Sequence, residues 1–228
     1  MKNIYSNLYD NPKQRCNLGS GNLRIKIMLN IVNDLNLQNK NILDIGCYDG
    51  TFLSLIKNRN NNFYGIDASK YGIRETLKKG IRAKLFFFDD KTKIPFKSGF
   101  FDLIIAGEII EHIYDTDFFL KEIFRLLKPR GYLLLSTPNI ASLGRRLMLL
   151  FGISPIIETS PNEKDSSGHI RYFTFSTLER LLSKHNFKIL LKHSDVVNFT
   201  LDGKIKSKLL AKFFPSLGGS LIFLARKK

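Results

Sequence analysis

The sequence predicts a doubly wound α/β domain built on a mostly parallel, seven-stranded sheet. Three observations lead there. Short apolar segments alternate with segments of helical period from Asn41 onward, the first strands end in glycine or acidic residues, and 228 residues with 43% hydrophobic side chains suffice for one three-layer core. Apolar strands separated by helices pair in parallel with both sheet faces covered. No linker or internal repeat divides the chain. A single domain over 1–228 is therefore expected, with a helical cap at 1–40, a ligand-binding core at 41–137, an inserted lid at 138–174 and the remainder of the sheet at 175–228.

Each element has its own signal. Leu23, Ile27, Ile31 and Leu35 recur at helical spacing, so a helix precedes the first strand. Asn41 to Gly46 reads as a strand and tight turn, and Phe52 to Ile56 resumes the helical period. A second strand, Asn62 to Asp67, leads into a helix containing Ile73 and Leu77. A third covers Lys84 to Phe88. Phe100 to Ala106 is the fourth strand, and Phe119, Leu120, Ile123, Phe124 and Leu127 line one face of a helix closed by Pro129-Arg130-Gly131. The fifth strand is Tyr132 to Ser136. From Pro138 to Thr174 the pattern breaks, as expected of a lid inserted after a strand's carboxyl end. Ser176-Thr177-Leu178-Glu179 reads as a capping box opening the next helix. A strand from Lys188 to Leu191, a helix from Lys204 to Phe214 and a closing strand from Leu221 to Leu224 complete the chain.

Composition narrows the classes. The apolar content excludes disorder and collagen, and two cysteines, Cys16 and Cys47, cannot make a disulfide framework, which fits a reducing, cytoplasmic compartment. The amino-terminal residues lack a secretory apolar core, and no apolar run is long enough to span a bilayer. The formal net charge of +16 permits nucleic acid, anionic lipid or acidic substrates as partners without choosing among them.

The turn Asp44-Ile45-Gly46-Cys47-Tyr48-Asp49-Gly50 lies at the carboxyl end of the first strand, where open α/β sheets bind ligands. A tight connection with no ligand would look similar, and the spacing is not that of a dinucleotide-binding turn. Asp67 sharpens the reading. It ends the second strand 21 residues beyond Gly46, where a carboxylate can accept both hydroxyls of a ribose. Asp89 and Asp90 end the third strand, where an acid can accept an exocyclic amine of adenine. Cys47, inside the turn and without an activating partner, reads as a small packing residue.

These stretches, together with Ile94-Pro95-Phe96, Phe101-Asp102-Leu103-Ile104 and Leu126-Leu127-Lys128-Pro129-Arg130-Gly131-Tyr132-Leu133, resemble the successive motifs of class I S-adenosylmethionine-dependent methyltransferases. The likeness is to the small-molecule type, including the methyltransferase 11/23 and quinone-biosynthesis O-methyltransferase groups, and runs from about Leu43 to Asn139. It implies the Rossmann-like methyltransferase fold and S-adenosylmethionine as cofactor. By the same resemblance Asp44, Gly46 and Gly50 surround the methionine part, Asp67 holds the ribose and Asp90 meets the adenine, with Cys47, Ala68 and Asp89 also counted among the cofactor-binding residues. Gly107 completes the cofactor set. Tyr48 stands where the family usually has glycine, so its side chain is expected to point away from the cofactor or the loop to differ.

After the fourth strand comes Gly107-Glu108-Ile109-Ile110-Glu111-His112. If its end is helical, Glu108, Glu111 and His112 share one face and can bind a divalent cation or supply a base, His112 and Glu111 being the catalytic candidates. The run resembles the metal motif of quinone-biosynthesis O-methyltransferases and of small-RNA 3′-terminal 2′-O-methyltransferases, which implies a Mg²⁺-like ion. His169, in the expected lid, is a candidate fourth ligand. The alternative is a metal-free site, with Glu capping a helix and His facing the pocket.

The resulting expectation is methyl transfer to a small or lipid-linked acceptor at a hydroxyl oxygen, by a monomer or homodimer. An RNA-modifying enzyme or a non-catalytic binding protein are the alternatives. Nucleic acid is not the expected partner, because no dedicated binding module is visible. Arg145 and Arg146 beside Leu147 to Phe151 could bring the lid to anionic lipid, giving peripheral membrane contact. From Leu201 to Lys228 seven basic residues face one acid, for which a solvated helix face is the favoured reading.

Overall fold

The computed structural model describes residues 22–56, 60–88, 91–156, 168–200 and 205–228. Helix α1 (Leu23–Asp34) buries Ile25, Met28, Ile31 and Val32 against one face of the sheet. The chain then alternates through β1 (Asn41–Ile45), α2 (Thr51–Leu55), β2 (Asn62–Asp67), α3 (Lys70–Lys78), β3 (Arg82–Leu85) and β4 (Phe101–Gly107). A 3₁₀ turn, Ile110–His112, precedes α4 (Thr116–Leu126) and β5 (Leu127–Pro138). Then come α5 (Leu143–Leu150), α6 (Phe175–Lys184), β6 (Phe187–His193), two-residue strands β7 (Val197–Asn198) and β8 (Lys206–Ser207), α7 (Lys208–Phe213) and β9 (Ser220–Lys227).

Seven strands form one sheet in the order β3-β2-β1-β4-β5-β9-β6. All pairs are parallel except β9, which runs antiparallel between β5 and β6. The order reverses between β1 and β4, so their carboxyl ends open the crevice in which such sheets hold ligands. The two strands are buried almost throughout, and cores on both faces of the sheet close over them.

Several local expectations need correction. The third strand is Arg82–Leu85, beginning two residues before and ending three residues before the expected Lys84 to Phe88, because its register with β2 runs only as far as Asp67↔Leu85. Past its end Phe86 and Phe88 turn onto the core, with Phe88 edge-on to Phe119 at 4.9 Å. Pro129-Arg130-Gly131 does not close the helix; α4 stops at Leu126, and these residues bulge out of β5, the register jumping from Phe101↔Leu127 to Leu103↔Tyr132. The capping box is Thr174 with Thr177, not Ser176 with Glu179. Thr174 Oγ1 accepts from the Thr177 amide at 3.2 Å, and Thr177 Oγ1 from the Thr174 amide at 2.9 Å. In place of one helix from Lys204 to Phe214 there is the β7–β8 pair and short α7, with Lys204 outside the described residues.

Of the expected lid, residues 157–167 lie outside the described residues, as do Cys16 and the cap up to residue 21. The ends of this stretch meet. Asn139 and Phe173 form a parallel bridge, with the Ile140 amide donating to the Phe173 carbonyl at 3.0 Å.

Candidate functional site

The first turn is held from three sides. The Gly46 and Cys47 amides donate to the Ile66 carbonyl at 2.9 and 3.1 Å, locking the turn to β2. The amides of Tyr48 and Ser69 both donate to the Asp67 carboxylate, at 2.8 and 2.7 Å, and Thr76 of α3 donates through its hydroxyl to the Tyr48 carbonyl at 2.8 Å. Asp67 is thus fixed by two amides, and its carboxylate has further acceptor capacity for a diol.

Tyr48 takes a left-handed conformation, φ 43°, between Gly46 at 79° and Gly50 at 71°. The loop accommodates a residue other than glycine there by leaning the tyrosine ring toward Tyr71, 6.3 Å between centroids. Gly50 is packed inward: a Cβ there would lie 2.9 Å from Thr76. The Cys47 side chain, 3% exposed, packs over Gly65, and burial followed by the charges of Asp44 and Asp67 pushes its thiol well up, which suits a packing residue rather than a nucleophile. Ala68 bridges β2 to the Ser69 cap of α3.

Asp44 ends up as a buried acid beside another acid. Burial, reinforced by the negative charge of Asp67, raises its carboxyl well above the ordinary range. Its side chain makes no ion pair or hydrogen bond among the described residues. A cationic ligand would offset both effects, since an opposite charge favours the ionised form. Asp89 and Asp90 lie outside the described residues.

A second cluster stands at the carboxyl ends of β4 and β5. A Cβ added to Gly46 would meet Ile109 at 3.4 Å, so the first turn abuts the segment that follows Gly107. The expected helical face does not form: Glu108 adopts φ 54°, and Ile110–His112 is a single 3₁₀ turn. Glu108 therefore leaves the predicted ligand group. It accepts from Ser136 Oγ at 3.0 Å and faces Arg24 at 3.6 Å, while Arg24 donates to Ser136 Oγ at 3.1 Å.

Glu111, His112 and His169 come together instead, their candidate ligand atoms within 4.8 Å of one another. Glu111 is 1% exposed. Its Oε2 accepts from Thr137 at 2.9 Å, whereas its buried Oε1 has no hydrogen-bond partner and lies 4.0 Å from His169 Nε2. The Ile170 and Arg171 amides donate to the Glu111 carbonyl at 2.9 and 3.0 Å, which brings the segment carrying His169 back to this point. His112 Nδ1 lies 3.1 Å from the Gly168 carbonyl oxygen, a bond that places the proton on Nδ1 and the lone pair on Nε2. Burial first, then the charge of Glu108, pushes the Glu111 carboxyl up to about 8.

The family model for a methyltransferase domain matches residues 24–192. The chain belongs to this methyltransferase family. Among curated proteins, the methyltransferase is 36% identical over 115 residues to the ubiquinone biosynthesis O-methyltransferase of Pelagibacter ubique, covering 46% of this chain and 45% of that one. It is 34% identical over 106 residues to norajmaline N-methyltransferase of Rauvolfia serpentina, covering 44% and 36%. It thus spans less than half the length of either relative. Among solved structures, the possible histamine N-methyltransferase of Thermotoga maritima aligns with a TM-score of 0.64 at 20% identity over 90% of both chains. The 1,6-didemethyltoxoflavin-N1-methyltransferase of Burkholderia thailandensis, solved with S-adenosylhomocysteine, aligns with a TM-score of 0.62 at 13% identity, covering 100% of this chain and 87% of that one. Both neighbours share the Rossmann-like methyltransferase fold.

Sequence reasoning missed Arg24, Ser136 and Thr137. Arg24 reaches Ser136 across 112 positions of sequence, and only the packing of α1 over β4 and β5 makes them neighbours.

Proposed function

We propose that the chain transfers the methyl group of S-adenosylmethionine to a hydroxyl oxygen of a small or lipid-linked acceptor, with a divalent cation held by Glu111, His112 and His169. The observation that carries this reading is the Glu111 Oε1 atom, buried without a hydrogen-bond partner and facing two imidazoles, because such an atom is costly unless a cation or donor meets it. Two imidazoles and a carboxylate, one imidazole oriented by a carbonyl, form a donor set suited to a divalent ion. Oxygen as acceptor is supported by the O-methyltransferase relative.

In this reading Asp67 accepts the two ribose hydroxyls while its amide contacts keep the carboxylate in place. Asp44 supplies negative charge toward the cationic methionine end. Arg24, partly buried against Glu108 and Gly107, pairs with the methionine carboxylate. Gly107 leaves room between Met28 and Ser136 for close approach. Asp89 and Asp90, outside the described residues, are assigned to the adenine by the family resemblance alone. Methyl transfer is an in-line displacement on sulfur, so positioning supplies much of the rate. The acceptor hydroxyl must also lose its proton: a cation held by Glu111, His112 and His169 would lower that group's pKa and let the proton leave to water, whereas without a cation Glu111 or His112 would be free to receive it.

The test is transfer of an isotopically labelled methyl group to catechol-type and amine acceptors, with chelator and with Mg²⁺, Mn²⁺ or Zn²⁺ restored. Labelling of a catechol oxygen that stops in chelator and returns with metal is expected. Full activity in chelator overturns the metal assignment, and labelling of amines alone overturns the oxygen assignment.

A further inference from the structure

We infer that α5 and α7, with the β7–β8 pair between them, form one docking surface for an anionic lipid bilayer. The two helices are about sixty residues apart in sequence and neighbours in space. Both pack on β7, and Arg146 of α5 donates to the Ser216 carbonyl at 3.3 Å and to the Ala141 carbonyl at 2.6 Å. Asn139 completes the brace by donating to the Ser216 and Gly218 carbonyls at 3.0 and 2.8 Å. The base of the unit is therefore rigid, with Val197 and Ala211 buried beneath it.

Its outer side carries several exposed apolar side chains among the described residues. Helix α5 has no buried residue. Leu150 and Phe151 at its end are 75% and 74% exposed, and Ile205, Leu209, Phe213 and Phe214 on the α7 side are 56% to 67% exposed. Grouped apolar exposure of this kind marks an interaction surface, whereas single exposed leucines do not.

Charge decides the occupant. Residues 139–156, 196–200 and 205–218 contain no Asp or Glu, while Arg145, Arg146, Lys206, Lys208 and Lys212 stand among the apolar groups. A second copy on a two-fold axis would set this basic patch against itself. A nucleic-acid strand would meet the cations but leave the aliphatic side chains without partners. An anionic bilayer satisfies both: phosphates take the cations, and the leucines and phenylalanines enter the boundary between headgroups and acyl chains. Among the described residues no helix is long and apolar enough to cross a membrane, so the contact is at the surface. Such a surface would bring the domain to an acceptor dissolved in the bilayer, but the inference stands on this patch and does not depend on the methylation chemistry.

The experiment is co-sedimentation of the full chain with phosphatidylcholine vesicles, with and without phosphatidylglycerol, at low and high salt, with no methyl acceptor present. Pelleting with the anionic vesicles that weakens as salt rises is expected. The Leu150→Glu/Phe213→Glu double variant and the Lys208→Gln/Lys212→Gln double variant should each lower partitioning about tenfold. Because all four side chains are exposed, the melting temperature should stay unchanged, and S-adenosylmethionine binding by calorimetry reports separately on the proposed function. Absence of pelleting overturns the inference, as does pelleting that survives Leu150→Glu/Phe213→Glu. A dimer in sedimentation velocity that those substitutions dissolve assigns the patch to self-association instead. A gel shift with RNA lost only in the lysine variant assigns it to a polyanion, and either result overturns the bilayer.

Discussion

Asp67 Oδ2 accepts the Tyr48 amide at 2.8 Å, so the acid at the tip of β2 holds the neighbouring turn. Asp67→Ala removes a charged acceptor from two amides and from the proposed diol contact. S-adenosylmethionine affinity should fall by about 2 kcal/mol, roughly thirtyfold, together with a lower melting temperature. Calorimetry on the folded variant is the check; unchanged affinity would detach Asp67 from the ligand.

Gly72, in the first turn of α3, supports the same loop from beneath. An added Cβ would lie 2.7 Å from the Tyr48 carbonyl oxygen and 2.9 Å from its carbon. Alanine ordinarily helps a helix, yet here the clash is with backbone and outweighs the gain. Gly72→Ala should cost about 1–3 kcal/mol in urea unfolding and weaken cofactor binding by displacing Tyr48. A stabilised variant would show that the turn yields freely.

Glu122 and Arg125 clamp α4 to the loop between β3 and β4. The Ile94 amide donates to Glu122 at 3.0 Å, and Arg125 donates to the carbonyls of Ile94 and Phe96 at 3.0 and 2.9 Å while pairing with Glu122 at 2.7 Å. Burial alone would raise the Glu122 carboxyl, but the bonds from Arg125 and Ile94 outweigh it and hold the group below its usual value. Its stabilisation is present above the unfolded value of about 4.3 and lost as pH falls through the lower folded one. Glu122→Gln should therefore cost about 1–3 kcal/mol near neutral pH and flatten the acid limb of the stability curve. A parallel curve, displaced but equally steep, would contradict this.

Thermal melts test the Glu111, His112 and His169 cluster without turnover. A divalent ion bound only by the folded chain adds about 2.7 kcal/mol when present at about a hundred times its dissociation constant. The melting temperature should climb with Mg²⁺, Mn²⁺ or Zn²⁺, fall back in chelator, and cease to respond in His169→Ala. A response that His169→Ala leaves intact would place the ion elsewhere.

The sheet was legible because apolar strands and helical periods alternate cleanly from Asn41 to Ser136, and Asp67 stood out because it closes the second of those strands. The second cluster was half legible. Glu111, His112 and His169 could be named from residue type, yet periodicity grouped Glu108 with them, and its left-handed backbone turns it to Ser136 and Arg24. Nothing in a local window signals that conformation, nor the contact of Arg24 with Ser136, since both arise from packing at long range. The capping box was displaced by two residues because Thr177 serves Thr174 as well as Glu or Gln would.

The bridge between Asn139 and Phe173 has an evolutionary corollary. The rung ties the chain before residue 140 to the chain after residue 172, so changes in length between them need not disturb the register of the strands beneath. Chimaeras that exchange residues 141–167 between relatives, leaving His169 and the contacts of Ile170 and Arg171 with Glu111 in place, should then alter which molecule is modified while preserving recognition of the methyl donor, making this rung a natural splice point for diversification.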